Sequence, residues 1–326
     1  MRRRDFIKMI AGSASAWPLA ARAQSAAMPV VGFVSNSAPD AGRVAAFRKG
    51  LGEAGTVEGQ NVTVEYHWLS GQFDRLPSLM ADLVRRRVAV IATPASNIAA
   101  LAAKAATTTI PIVFGVGEDP VKLGLVASLA RPGANATGIN FFAQETTAKR
   151  LGLLHDLVPK ALRIVVLVNP ANAPTAEATL RDIPEAARAI GLQIQFLNAS
   201  TGREIEAAFA TLVRDQADAL FVGSDGFFVG RRVQLATLAT YYRIPAAHPA
   251  RESVEVGGLM SYSADAADSF RQVGTYTGQI LKGAKPADLP VLQSTKFEFV
   301  INMQTARALG IEVPNSIQLL ADEVIE

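Results

Sequence analysis

Asp119 in GVGEDP (115–120) and Asp225 in GSDGFF (223–228) follow apolar, β-branched runs at comparable places in the two halves of the chain. A carboxylate held in a partly closed cleft needs a cation or several hydrogen-bond donors, and a ligand ammonium would serve. Each aspartate also stands where a helix N-cap belongs, so capping is the competing reading. Asp225 is the stronger binding candidate because Phe227 and Phe228 follow it and offer rings to an apolar or aromatic group. Donors lie elsewhere, in SNSAPD (35–40) and TPASN (93–97): Ser35, Asn36 and Ser37, then Thr93, Ser96 and Asn97. Hydroxyls, amides and free backbone N–H groups beside helix N-termini suit a carboxylate or similar anion, although each residue would equally well cap its helix. Trp68, Phe142 and Tyr262 stand near other loop ends as further candidate ring partners.

Catalytic arrangements are weak by comparison. There is no G-x-S-x-G elbow, no phosphate loop ending in Lys-Ser or Lys-Thr, and no G-x-G-x-x-G after the first apolar run. His67, His155 and His248 are far apart with no metal-ligand spacing. Zero cysteines exclude disulfides, thiolate catalysis and a lipidated cysteine. No cofactor and no metal are expected, and the residues describe a binder of a small molecule.

The elements that must position these loops alternate regularly. VVGFVS, NVTVEYHW, VAVIAT and PIVFGV read as strands, followed by helical stretches near 40–54, 73–86, 95–106 and 121–130. The series then repeats. RIVVLV (163–168), LQIQFL (192–197), ALFVGS (219–224) and IPAAHP (244–249) are separated by helical stretches near 174–190, 202–215 and 228–242. Val31 to Ile164 is 133 residues, Val88 to Ala219 is 131 and Ile112 to Pro245 is 133, a near-constant offset that predicts two similar lobes. Near-continuous apolar strands suit parallel sheets covered on both faces, an α/β fold in which ligands bind outside the carboxyl ends of the strands. GGLMSYS (257–263), a helix from Ala264 to Leu281, and KFEFVIN followed by a short helix stopped at Gly310 form a third portion that returns across the lobes and makes a hinge. The expected lobes are 29–138 plus about 262–291, and 139–261 plus about 292–326.

The first 23 residues read as an export signal: Arg2 to Arg4, a modestly apolar stretch, then Ala21-Arg22-Ala23 before Gln24. RRDFIK within it resembles the twin-arginine motif. That segment holds five of the 32 Lys and Arg but one of the 29 Asp and Glu. The remainder keeps 27 basic and 28 acidic groups, a formal net charge of −1, so nucleic acid and anionic membrane lose their support as partners.

From MPVVGFVSNSAPD through PIVFGVGEDPVKLGLVASLARPGANATGIN, and again from SYSADAADSFRQVGTYTGQILKG to FEFVINMQTARALG, the chain resembles the bacterial ABC-transporter substrate-binding family that includes tryptophan- and aromatic-amino-acid-binding members. The likeness spans about residues 28–320. It implies a periplasmic-binding-protein fold of type I, with two Rossmann-like lobes closing on a small ligand that is presented to a membrane permease. The resemblance makes Ser35, Asn36, Thr93, Ser96, Asp119, Asp225 and Tyr262 the expected cleft positions, in a periplasmic monomer. Amino-acid binders of this kind carry TDN where this chain has Ser224-Asp225-Gly226, which retains the acidic position and loses the asparagine. A sensor serving a membrane receptor, or an exported enzyme acting on a small carboxylate or amide, are the alternatives.

Overall fold

A computed structural model describes residues 28–326; the expected export signal at 1–23 lies outside the described residues. The first lobe is built on β1 (Val30–Ser35), β2 (Thr63–Trp68), β3 (Val90–Thr93), β4 (Ile112–Val116) and β5 (Ala136–Asn140). The second is built on β6 (Arg163–Val168), β7 (Gln193–Asn198), β8 (Ala219–Val222), β9 (Ala246–His248) and β10 (Met260–Ala264). Three later strands, β11 (Leu292–Gln293), β12 (Phe297–Asn302) and β13 (Glu323–Ile325), add to their edges. The sheet orders are β11-β5-β4-β3-β1-β2 and β13-β12-β10-β9-β8-β6-β7. Five strands of each sheet therefore share one topology, and the 131–133 residue offset is its trace in the sequence. Pairing is parallel throughout, except that β10 runs antiparallel to β12.

Burial on both faces explains the unbroken apolar strands. In β6, Ile164, Val166 and Val168 enter one core while Val165 and Leu167 enter the core on the opposite face. In β1, Val31 and Phe33 pack on one side and Val34 on the other. A side chain of this kind, fully buried, contributes roughly 1.5–3 kcal/mol.

The helix Ala266–Leu281 follows β10 of the second sheet yet packs against Ala41–Glu53 and the strands of the first. The two helices touch backbone to backbone. A Cβ on Gly274 would stand 2.1 Å from the Phe47 carbonyl oxygen, and one on Gly50 would stand 1.8 Å from that of Arg271. Among the described residues the chain passes between lobes three times: between β5 and the helix Ala143–Leu157, between β10 and Ala266–Leu281, and between β11 and β12. At the first passage Phe142 holds a left-handed backbone (φ 55°, ψ 56°), a conformation that costs a non-glycine residue about 1–3 kcal/mol.

Two expected elements differ. Residues 121–130 form turns instead of a helix: the Asp119 side chain takes the N–H of Val121, Gly124 adopts φ +72°, and Pro132 with Gly133 ends the segment. The 228–242 stretch is two helices, Gly226–Gly230 and Arg232–Tyr241, divided at Arg231. The strand β5 and the helix Ala143–Leu157 were not among the expected elements.

Candidate functional site

A cavity of about 190 Å³ lies between the lobes. The carboxyl ends of β1, β3, β4, β6, β8, β9 and β10, or the segments just after them, contribute to its wall, through Asn36, Ser96, Glu118, Asn172, Asp225, Glu252 and Ser263 among others. Its size is below the ~300–1,000 Å³ of drug-sized pockets, which suits a small metabolite. Phe141 and Phe270 supply aromatic surface.

Of the sequence-derived candidates, the structure brings Asn36, Ser37, Ser96, Asn97 and Asp225 to this wall. Ser96 caps the helix Asn97–Ala106, accepting from the Ala99 N–H at 3.2 Å. The others stand elsewhere. Ser35 is fully buried, its hydroxyl 3.2 Å from that of Ser37, and Thr93 is fully buried at the end of β3. Asp119 is exposed and spends Oδ1 on the Val121 N–H at 2.8 Å. Phe227 belongs to a core of the second lobe, and Tyr262 stacks on Phe297 with ring centroids 6.2 Å apart.

Asp225 is 8% exposed and well supplied with donors. Its Oδ1 accepts from the Asn169 side chain at 2.9 Å and from the Phe227 N–H at 2.8 Å, so it caps the short helix Gly226–Gly230; its Oδ2 accepts from Asn172 at 2.7 Å. Asn36, across the cleft, also favours its ionised form. Burial pushes this carboxyl up and the amide donors pull it back, with burial the larger effect. A carboxylate has about four lone-pair sites, and here protein donors take both on Oδ1 and one on Oδ2.

The residue that sequence reasoning missed is Glu118. It lines the cavity, and its Oε2 is buried without a hydrogen-bond partner. Burial pushes its carboxyl up to about 7. Asn140 ties it to the hinge: its Nδ2 donates to the Glu118 carbonyl at 2.9 Å, and its Oδ1 accepts from the Phe142 N–H at 2.8 Å. A signal was present in GVGEDP, because an Asp-Pro pair favours turn initiation and so commits Asp119 to its own backbone, leaving its neighbour free.

Several contacts span the lobes. Arg43 Nη2 donates to Glu252 Oε1 at 2.8 Å, and Asn97 Nδ2 to Thr175 Oγ1 at 3.2 Å. Gly226 lies so close to the opposite lobe that a Cβ would sit 3.1 Å from the Ser37 nitrogen; an asparagine at this position would have to displace that loop. Behind Ser224, the fully buried Arg150 donates to the carbonyls of Val222 (3.0 Å) and His248 (3.3 Å) and lies 4.3 Å from the centre of the Phe221 ring. Burial lowers its pKa to about 9, which leaves it cationic at neutral pH.

Two parallel α/β lobes, three linking segments and a small cavity at the carboxyl ends of both sheets define a two-lobed ligand receptor of the periplasmic-binding-protein type. The chain belongs to the ABC transporter substrate binding protein family, whose sequence profile matches residues 27–325. It is 27% identical over 269 residues to a tyrosine-binding protein of Clostridioides difficile (strain R20291), covering 82% of this chain and 76% of that one. A solved ABC domain in complex with L-Trp from Streptococcus pneumonia is 25% identical, covers 91% of this chain and 100% of its own, and superposes with a TM-score of 0.79. The ligand-free, open structure of a substrate binding protein with adhesive properties from Clostridium difficile is 24% identical and covers 92% of this chain and 99% of its own, with a TM-score of 0.63. The protein is thus a substrate-binding receptor of an ABC importer, and such receptors typically act outside the cytoplasm.

Proposed function

We propose that this receptor captures an α-amino acid, with an apolar or aromatic side chain preferred, and delivers it to an inner-membrane ABC permease without chemical change. One observation carries the reading: the cavity combines buried acceptors on both lobes with Phe141 and Phe270, in a family whose relatives are named for binding tyrosine or L-Trp. The N-terminus of the helix Asn97–Ala106, beside Ser96 on the cavity wall, supports the ligand's carboxylate on the first-lobe side. Closure works by population shift, because contacts made to both lobes at once exist only in the closed form.

The finer readings belong to the same proposal: a monomer released in the periplasm after export by the twin-arginine route, with the signal removed after Ala23. Lysine in place of both Arg3 and Arg4 should leave the precursor in the cytoplasm. For the ligand, the mature protein is stripped by partial unfolding and refolding, then screened by thermal shift against amino acids, aromatic acids and short amides. A true ligand raises the midpoint in a dose-dependent way; hits confined to compounds lacking an amine would overturn the amino-acid reading.

A further inference from the structure

Five buried side-chain polar atoms on residues of the cavity wall lack a hydrogen-bond partner: Asn36 Oδ1, Asn172 Oδ1, Glu118 Oε2, Glu252 Oε2 and Arg43 Nε. Four are acceptors and one is a donor. Arg43 and Glu252 offset each other's charge across the cleft, which leaves the acceptors of Asn36, Asn172 and Glu118 for a cationic ligand group. The amide oxygen of Asn172 is left over because the side chain donates its amino end to Asp225, which can only accept. Asn36 and Glu118 belong to the first lobe and Asn172 to the second. Leaving buried acceptors unpaired is costly, and an ammonium, with three donors and no acceptor, complements three of them.

We propose that Glu118 is the carboxylate that recognises the ligand's cationic amino group, and that Asp225 is a positioning residue that fixes the Asn172 side chain with its carbonyl free for the same group. The inference rests on the receptor reading above and specifies the chemistry of its site. It departs from the expectation that Asp225 meets the ammonium directly, since three protein donors already hold Asp225. The charged groups that act on Glu118 are few. Arg181 and Asp182, on the helix Ala173–Ala189, oppose each other, and the other charges of the wall are committed, Arg251 to Glu298 and Asp225 to its amides. Glu118 is therefore a carboxyl that titrates near neutrality, and an ammonium beside it favours the ionised form. Below that pH, binding must expel a proton to the solvent.

The test uses the standard L-amino acids, the tightest of which is compared with its counterpart lacking the amine. Calorimetry in two buffers of different ionisation enthalpy counts protons at pH 6 and pH 8. The parent should release most of one proton per ligand at pH 6 and little at pH 8. E118Q should release none and should bind the amino acid at least about tenfold more weakly at pH 8, while the amine-free counterpart binds both proteins alike. Amino-acid binding by E118Q with unchanged affinity and unchanged proton release would overturn the role of Glu118 and leave the amino-acid reading standing. Binding by the parent of amine-free compounds alone would overturn both.

Discussion

Replacing Glu118 by Gln should stabilise the ligand-free protein, and only where the carboxyl is ionised. An ordinary glutamate titrates near 4.5, and burial raises Glu118 to about 7. Below pH 4.5 the group is protonated in folded and unfolded chains alike and burial carries no electrostatic penalty. As pH rises, the unfolded chain ionises first, so stability falls from about pH 4.5 and levels off above 7. The gap between 4.5 and about 7, at ~1.4 kcal/mol per pH unit, gives a ceiling of about 3.5 kcal/mol lost at high pH. Gln keeps the shape and cannot ionise. Urea unfolding of ligand-stripped parent and E118Q at pH 5, 6.5 and 8 measures the difference, which should be under about 1 kcal/mol at pH 5 and approach 3 at pH 8. His248 also titrates abnormally, its pKa pulled down to about 3 by burial and by Arg150. Its contribution is complete above about pH 6.5 and fades as pH falls toward 3, but it is common to both proteins and cancels. A difference that stays constant from pH 5 to pH 8 would refute the argument, because an offset without slope means that Glu118 ionises as readily folded as unfolded.

Three further outcomes are expected. D225N retains an oxygen for the Phe227 N–H but sets an amino group against that of Asn172, so stability should fall by about 2–3 kcal/mol in urea unfolding; a neutral result would show that Asp225 is not held by its amides. G274A forces a Cβ into the Phe47 carbonyl and should cost at least about 1–3 kcal/mol as the helices separate, seen as a Tm lowered by several degrees. E252Q weakens the partly buried pair with Arg43; losing about 1 kcal/mol of closure should weaken ligand binding roughly fivefold, with a larger radius of gyration by X-ray scattering in the ligand-free protein.

The sheets were legible because their strands are buried on two faces, which forces the unbroken runs of β1, β4, β6 and β8 and their repeated spacing. The strand β5, ATGIN, was harder to read because it carries Thr, Gly and Asn inside a sheet; Gly138 is needed there, since a Cβ would stand 2.0 Å from the Phe114 carbonyl oxygen. The 121–130 segment has helical periodicity, and Leu123, Leu125, Val126 and Leu129 do pack on the first core. Local turn chemistry at Asp119, Gly124 and Pro132 overrides it. At the site, loop membership was readable and side-chain direction was not. Neighbours such as Asp119 and Glu118 share a loop and a charge, and which one reaches the cavity depends on backbone hydrogen bonds that no spacing rule encodes. Arg43 and Glu252 pair across 209 residues of chain, on helices with nothing local to mark them.

The three passages between lobes also set the mechanics of the molecule. One flexible strap would let the lobes swivel, slide and drift apart, whereas three straps side by side resist shear and torsion and leave bending about a single line as the soft motion. Each lobe is assembled from separate stretches of chain, so neither can be cut out as one continuous piece. A single nick in one strap would leave two holding, and the jaws would still meet in register.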